Sequence, residues 1–383
     1  MNAFDFDPRT RIVFGRQKID TLGEFAASLG ARRALVVSDA GIVEAGHTQR
    51  GCDSLHQSGV KWELFQDVHE NPTTEDVESG RQVAERFHPE LIVGLGGGSS
   101  MDCAKGVNFL YSGGGQMQDY LGVGRAVQEM LPMIAVPTTA GTGSETQSFA
   151  LISDSQTRVK MACGDKKAAF RIALLDPELT LTQPPRVTAL TGIDALAHAV
   201  ESYVTTRRNP ISIAISREAW RLLSCNFSKV LDDPDDLEAR AGMQLGASFA
   251  GMAIENSMLG AAHALANPLT AQFGIPHGEA VGLMLPHVVR FNGTQHEDWY
   301  HELLEIKSDA NGHLPKNGSA DELAGWVAAI GRRAGLARRL TDCGVSEHLL
   351  PELAAGAAEQ WTGQFNPRQV DAASLLELYR QAI

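Results

Sequence analysis

Leu91-Ile-Val-Gly-Leu-Gly96 contains no polar side chain and runs straight into Gly97-Gly98-Ser99-Ser100-Met-Asp102. A short, continuous apolar run bounded by glycine reads as a strand buried on both faces. The glycines allow a tight turn, and Ser99, Ser100 and Asp102 suit the first turn of a helix, where side chains can cap free backbone N–H groups. A buried strand feeding a helix in this way points to a parallel sheet covered by helices.

The same alternation extends along the first half of the chain. Strand-like runs fall at 11–15, 33–39, 59–68, 91–96, 133–139 and 172–177. Helical periods fall at 17–30 and 42–58, and Thr73-Thr-Glu-Asp76 is a capping box opening a helix to about Phe87. Residues 149–154 and 158–163 suggest a hairpin across Asp154-Ser-Gln-Thr157. After Leu181 the texture changes, and 186–205, 210–231, 237–271, 278–291, 320–334, 346–361 and 370–382 all carry helical periods. The expectation is an α/β domain over residues 1–180, built on a parallel sheet with helices on both faces, and an all-α domain over 181–383. A length of 383 residues also argues for two cores. Residues 293–318 are polar and rich in turn residues, which predicts an exposed insertion.

Composition excludes several function classes. A net charge of −13 argues against nucleic acid, whose phosphates require a basic surface. No apolar run approaches the about 18 residues of a membrane span. The five cysteines are odd in number and include no C-x-x-C, so neither a disulfide framework nor a zinc ribbon is suggested. The N-terminus lacks the basic and apolar regions of a secretory signal, and a cytoplasmic location is expected.

A second hydroxyl- and glycine-rich turn, Thr138-Thr139-Ala140-Gly141-Thr142-Gly143-Ser144, follows the strand at 133–139. Open α/β sheets bind nucleotides at such turns beyond the strand C-termini. A helix N-terminus there presents N–H groups to phosphate. The run is not a G-x-G-x-x-G. Asp39, at the end of its strand, could accept hydrogen bonds from an adenosine ribose and repel a 2′-phosphate, favouring NAD over NADP. It could equally cap the next helix.

The chemistry of the second half converges on residues 192–277. Asp194 and His198 are four apart in an apolar helical stretch and so share one face. His263 and His277 flank a segment that leaves one helix and returns through Pro276-His277-Gly278. One carboxylate and three imidazoles could form a site for a borderline first-row metal such as Fe(II) or Zn(II). The competing reading is a set of unrelated core histidines, of which His287 in Leu-Pro-His-Val-Val has the look.

These motifs, taken together, resemble the iron-containing (group III) alcohol dehydrogenase family, which includes bacterial lactaldehyde reductases. The matching stretches are Gly96-Gly-Gly-Ser-Ser-Met-Asp102, Pro137-Thr-Thr-Ala-Gly-Thr-Gly-Ser-Glu145, Asp176-Pro177, Gly192-Ile-Asp-Ala-Leu-Ala-His-Ala-Val-Glu201, Ala250-Gly-Met-Ala253, His263, Pro276-His-Gly278 and Asn366-Pro-Arg368. The resemblance implies a Rossmann-like N-terminal domain and a helical C-terminal domain, a dehydroquinate synthase-like architecture. It implies that Asp194, His198, His263 and His277 hold the metal, Fe(II) or in some relatives Zn(II). It implies that Gly97, Gly98, Ser99, Asp102, Thr139, Thr142 and Ser144 line the phosphates and nicotinamide of NAD, with Asp39 and Asn71 toward adenosine. Lys160 falls where members place a lysine near the nicotinamide ribose; its alternative is an exposed hairpin charge. At least a homodimer is implied.

Two departures stand out. Many members carry a histidine four residues after the third ligand, where this chain has Asn267, and an amide cannot act as acid or base near neutral pH. Ile254-Glu255-Asn256 replaces the usual aromatic-Ser-Asn. Phe149, Ile254, Glu255 and Thr362 are wall candidates for the substrate from their motif neighbourhood. The expected activity interconverts a primary alcohol or diol and its aldehyde with NAD(H), a metal polarising the substrate oxygen. The alternatives are a hydroxyacid–oxoacid transhydrogenase, a zinc-type glycerol dehydrogenase relative and a non-catalytic scaffold.

Overall fold

The structure, a computed structural model, describes residues 3–157, 159–311 and 318–383. In chain order the elements of the first half are β1 (Arg11–Phe14), α1 (Leu22–Ser28), β2 (Arg33–Val37), α2 (Ala40–Glu44), α3 (His47–Gln57), β3 (Lys61–Phe65), α4 (Thr74–Phe87), β4 (Leu91–Gly96), α5 (Gly98–Gly113), β5 (Gly122–Val123), β6 (Met133–Pro137), β7 (Phe149–Ser153), β8 (Lys160–Gly164) and β9 (Ile172–Leu175). The second half is helical: α6 (Pro185–Val204), α7 (Pro210–Asp232), α8 (Leu237–Ser257), α9 (Ala261–Phe273), α10 (His277–Asn311), α11 (Ala320–Arg333), α12 (Leu350–Ala358) and α13 (Ala372–Gln381). The chain forms two compact units. One is Asp7–Thr139 with Gly143–Gln183; the other is Pro184–Ile383 with Ala140–Thr142 and the N-terminal residues up to Phe6.

Six strands of the first unit form a wholly parallel sheet in the order β1-β9-β6-β4-β2-β3. Alternation along the strands sends side chains to both faces. Ala34, Val36, Leu91, Val93, Leu95, Ile134 and Val136 pack with Leu22 and Ala26 of α1 and Cys52 and Leu55 of α3. On the other face a Cβ at Gly94 would lie 3.3 Å from Met101 Cα, so α5 sits close against the sheet. Helices therefore cover both faces, as the continuous apolar runs predict. The expected hairpin is β7 paired antiparallel with β8, and β5 extends it into a three-stranded sheet. The capping box before α4 forms: Thr73 Oγ1 accepts from Asp76 N–H while the Asp76 carboxylate accepts from Thr73 N–H.

The core of the helical unit gathers Ile193, Leu196 and Val200 of α6, Trp220 and Phe227 of α7, Leu265 of α9, Met284 and Val288 of α10 and Tyr379 of α13. Each fully buried side chain of this size contributes about 1.5–3 kcal/mol of hydrophobic stabilisation. Trp220 is buried with its indole N–H donated to Leu303 O at 2.7 Å.

Three boundaries differ from the sequence expectation. The helical pattern at 42–58 breaks at Gly46, whose φ is +81°. The run 237–271 is two helices, because Met258 takes a φ of +76°. The expected insertion at 293–318 is helix as far as Asn311, with a single non-helical residue at His296. Asn292, Tyr300, Leu303 and Leu304 are buried at helical spacing, and the intervening polar side chains made the segment read as loop. Residues 312–317, which carry the glycine of the Asn311-Gly turn signal and His313, lie outside the described residues, as does Arg158 at the start of the expected 158–163 strand.

Candidate metal and dinucleotide sites

Asp194 and His198 project from the middle of α6, one turn apart. His263 is in the first turn of α9, and His277 opens α10. The approach of α10 to α6 requires Gly278, since a Cβ there would lie 2.1 Å from Leu190 O. Asp194 Oδ1 is 3.4 Å from His198 Nε2, 3.5 Å from His263 Nε2 and 3.8 Å from His277 Nε2. Asp194, His263 and His277 each offer one ligand atom within 4.8 Å of the others. His198 joins them through Asp194 and by stacking on His263, with ring centroids 4.8 Å apart.

Asp194, His198 and His263 are buried, whereas the His277 side chain is 26% exposed. Asp194 Oδ1 and His263 Nε2 are buried atoms without a hydrogen-bond partner. A buried polar atom left unpaired costs about 1–3 kcal/mol, so two facing one point call for an explanation. Nitrogen and oxygen ligands of a first-row dication bond at about 2.0–2.2 Å, which places two ligands of one ion about 3–4 Å apart. The three separations from Asp194 fall in that range, and one carboxylate with three imidazoles suits a borderline dication.

The electrostatics agree. Burial alone would raise the Asp194 carboxyl, but His198, His277 and His263 outweigh it and hold the group well below the usual carboxylate range. Burial pulls His198 down. It also opposes charge on His263, yet Asp194 and Glu201 push that ring up to about 9. The cluster thus draws positive charge into a buried position.

Glu201 is a residue of this site to which the sequence reading gave no role. It lies on α6, three residues past His198, and its carboxylate accepts from His263 Nδ1 at 2.5 Å. Its spacing of seven from Asp194 puts it on the same helix face, and that is the signal that could have found it.

In the α/β unit, Gly97 is the N-cap of α5 and has no side chain to bond the helix N-terminus. Ser99, Ser100 and Asp102 do not cap the helix, contrary to expectation. Ser99 Oγ accepts from Asn71 N–H at 3.2 Å, and Ser100 Oγ donates to Asp39 Oδ2 at 3.1 Å. Gly96 has a φ of +150°, and a Cβ there would lie 2.4 Å from Ser100 Oγ, so no other residue fits. The other Asp39 oxygen caps α2 by accepting from Ile42 N–H at 3.1 Å. Asp39 therefore does act as a helix cap and also ties the end of β2 to the first turn of α5. Lys160 is exposed on β8 and donates to Asn71 Oδ1 at 3.2 Å.

Asp102 Oδ1 accepts from Ser144 Oγ at 2.6 Å. Burial pushes the Asp102 carboxyl up, against the pull of Lys105 and Ser144. Lys105 is wholly buried and donates to Ser144 O, Ser144 Oγ and Phe149 O, each at 2.8 Å. This lysine also went unremarked in the sequence. Its three bonds join α5 to the turn at 143–149. Thr139 lies in the α/β unit and Thr142 in the helical unit. Phe149 begins β7, where its ring covers Gly164. Ile254 and Thr362 are buried in the helical unit, Glu255 is half-buried on α8, and Thr362 Oγ1 has no partner. Asn267 donates to Gln360 Oε1 at 2.9 Å.

A parallel α/β unit with an uncapped glycine turn and a helical unit carrying a buried Asp–His cluster define the class of metal- and nucleotide-dependent dehydrogenases. The comparisons make this specific. Residues 8–177 match the family model for iron-containing alcohol dehydrogenase, and residues 188–383 match that for the C-terminal part of the Fe-containing alcohol dehydrogenase family. The chain belongs to the iron-containing alcohol dehydrogenase family, whose cofactors are NAD and iron. It is an NAD-dependent oxidoreductase of alcohols and aldehydes. It is 32% identical to a 1,3-propanediol dehydrogenase of Citrobacter freundii, over 99% of this chain and 98% of the relative. A lactaldehyde reductase of Escherichia coli (strain K12) is 29% identical, over 96% of this chain and 97% of that one. A sulfoacetaldehyde reductase from Bifidobacterium kashiwanohense, solved in complex with NAD+, aligns with a TM-score of 0.90 at 27% identity, covering 100% of this chain and 99% of the other.

Proposed function

We propose that the enzyme interconverts a short primary alcohol or diol and its aldehyde with NAD(H), with residues 1–180 holding the dinucleotide and residues 181–383 the metal and the chemistry. The observation that carries this reading is the buried cluster in which three imidazole nitrogens lie 3.4–3.8 Å from Asp194 Oδ1. Asp194, His198, His263 and His277 would hold Fe(II), with Zn(II) as the second choice. When bound, the dication supplies Lewis acidity at the substrate oxygen, and nicotinamide accepts or returns the hydride.

The chain's own residues bind and orient. The uncapped N-terminus of α5, at Gly97, Gly98 and Ser99, would receive the pyrophosphate on free backbone N–H groups. Asp39 would take the adenosine ribose, with Asn71 beside it. Lys160 would reach the nicotinamide ribose. Asp102 and Ser144, fixed by Lys105, would hold the turn that carries Thr139 and Thr142 toward the nicotinamide end. Asn267 cannot give or take a proton near neutral pH, so the substrate proton would move through water or hydroxyl groups. Phe149, Ile254, Glu255 and Thr362 are proposed as substrate walls; the unpaired Thr362 hydroxyl supports a polar contact there.

The proposal extends to a cytoplasmic enzyme that forms at least a homodimer. All five cysteines are free, and no helix among the described residues is long and apolar enough to cross a membrane. Light scattering on the purified protein tests the dimer. The function is tested by loading the protein anaerobically with Fe(II) or Zn(II) and following NADH across short primary alcohols, diols and their aldehydes. NADH formation with an alcohol or diol of this panel is expected. Exchange between an alcohol and a carbonyl without turnover of free NAD would replace the reading with a transhydrogenase, and no turnover of any kind would leave a scaffold.

A further inference from the structure

Glu201 is 2% exposed, and its carboxylate accepts three hydrogen bonds. Two come from backbone N–H groups at the start of α9, Ala262 at 2.7 Å and Gly260 at 3.1 Å. The third comes from His263 Nδ1 at 2.5 Å. One carboxylate therefore holds both the end of the helix and the ring that the helix carries.

A neutral imidazole has one proton, and the nitrogen without it supplies the lone pair. A carboxylate 2.5 Å from Nδ1 keeps the proton there. In the neutral ring, the form that can bind a metal, Nε2 is then the lone-pair nitrogen, and it is the atom that faces Asp194 Oδ1 at 3.5 Å without a hydrogen bond. Capping of α9 does not explain the arrangement, because the next free donor, Ala261 N–H, is taken by Asn366 Oδ1 at 3.2 Å. Asn366 is in turn held by a reciprocal amide pair with Asn292. The helix end thus has a second acceptor that leaves the ring alone.

We propose that Glu201 is a positioning residue that fixes the Nδ1–H tautomer and the orientation of His263, and so sets the affinity of the Asp194–His263–His277 cluster for a divalent metal. This rests on the ligand reading above. Glu201→Gln keeps the size of the side chain but presents an amide NH2. Turned toward His263, that group donates to Nδ1, moves the ring proton to Nε2 and removes the lone pair.

The test is a competition titration of metal-free protein with Zn(II) against a chromophoric chelator, accompanied by thermal melts. Glu201→Gln is expected to weaken binding about 10–100-fold, the usual effect of removing the partner of a ligating histidine. Glu201→Asp, which keeps the carboxylate, should recover most of that loss and serves as well if the glutamine variant fails to fold. Asn366→Ala opens a donor at the same helix end without touching the ring, and should stay within about threefold of the parent. Parent-like affinity in Glu201→Gln overturns the proposal, as does an equal loss in Asn366→Ala or an aspartate variant no better than glutamine. Equal Zn(II) affinity in the parent and in His263→Ala would instead overturn the ligand reading itself.

Discussion

Asp39 has two engaged oxygens, one on the α2 backbone and one on Ser100. Its proposed place on the adenosine ribose makes a direct prediction. Asp39→Ser keeps a helix cap but removes the charge that repels a 2′-phosphate. The NAD-to-NADP ratio of kcat/KM should fall about tenfold or more, the scale of a lost charged hydrogen bond; an unchanged ratio removes Asp39 from the ribose site. At this scale the sequence was most informative where spacing and chemistry coincide. Asp194 and His198 share a face because they are four apart, and the structure brings them to 3.4 Å. Lys105 was not legible, and for Glu201 the spacing from Asp194 marked the shared face but not the partner. A polar side chain inside an apolar helix reads the same from sequence whether it faces water or a buried acceptor. Only the packing of α9 and of the 143–149 turn supplies those acceptors.

Element by element, the parallel sheet was readable because its strands are buried on both faces and so lack polar interruptions. The break between α8 and α9 was not, because Met258 is held in a left-handed conformation that methionine does not favour. Nor was the length of α10, whose apolar stripe is thin between Asn292 and Leu304. Lys105 makes the clearest element-scale prediction. Lys105→Met leaves Ser144 O, Phe149 O and the nearby Asp102 without their buried cation. Loss of one partner from a buried charged group costs about 3–5 kcal/mol, which for a unit of this size lowers Tm by about 10 °C. Calorimetry of the variant checks this, and an unchanged Tm would show that the lysine is not the tie between α5 and the second turn.

Across the whole molecule, acid sensitivity has an identifiable contributor. His287, half-buried on α10, has its pKa pushed down to about 4, by burial first and by Arg290 second. Above about pH 6.5 the ring is neutral in both states and has no effect. Between about 6.5 and 4 the unfolded chain takes up a proton that the folded chain does not, so stability falls as pH falls. Full expression of that difference is up to about 3 kcal/mol. Denaturant unfolding of His287→Leu and the parent at pH 7 and pH 4.5 should show the parent losing more stability on acidification. Equal losses would remove His287 as a cause. The division of the chain into α/β and helical halves was visible in the change of texture after Leu181. The packing of Ala140–Thr142 with the helical unit was not, because it depends on Gly141 fitting against Thr191 of α6.

Asp194, His198, His263 and His277 are proposed to hold one divalent metal on which NAD-dependent alcohol oxidation depends. The most direct measurement titrates metal-free protein with Fe(II) under anaerobic conditions, and reads bound iron and NADH formation in the same samples for the parent and for His263→Ala. Activity is expected to rise in proportion to bound iron and level off at about one equivalent per chain, with both lost in the variant. Full activity in the metal-free parent, or a His263→Ala enzyme that keeps its iron and its turnover, would contradict it.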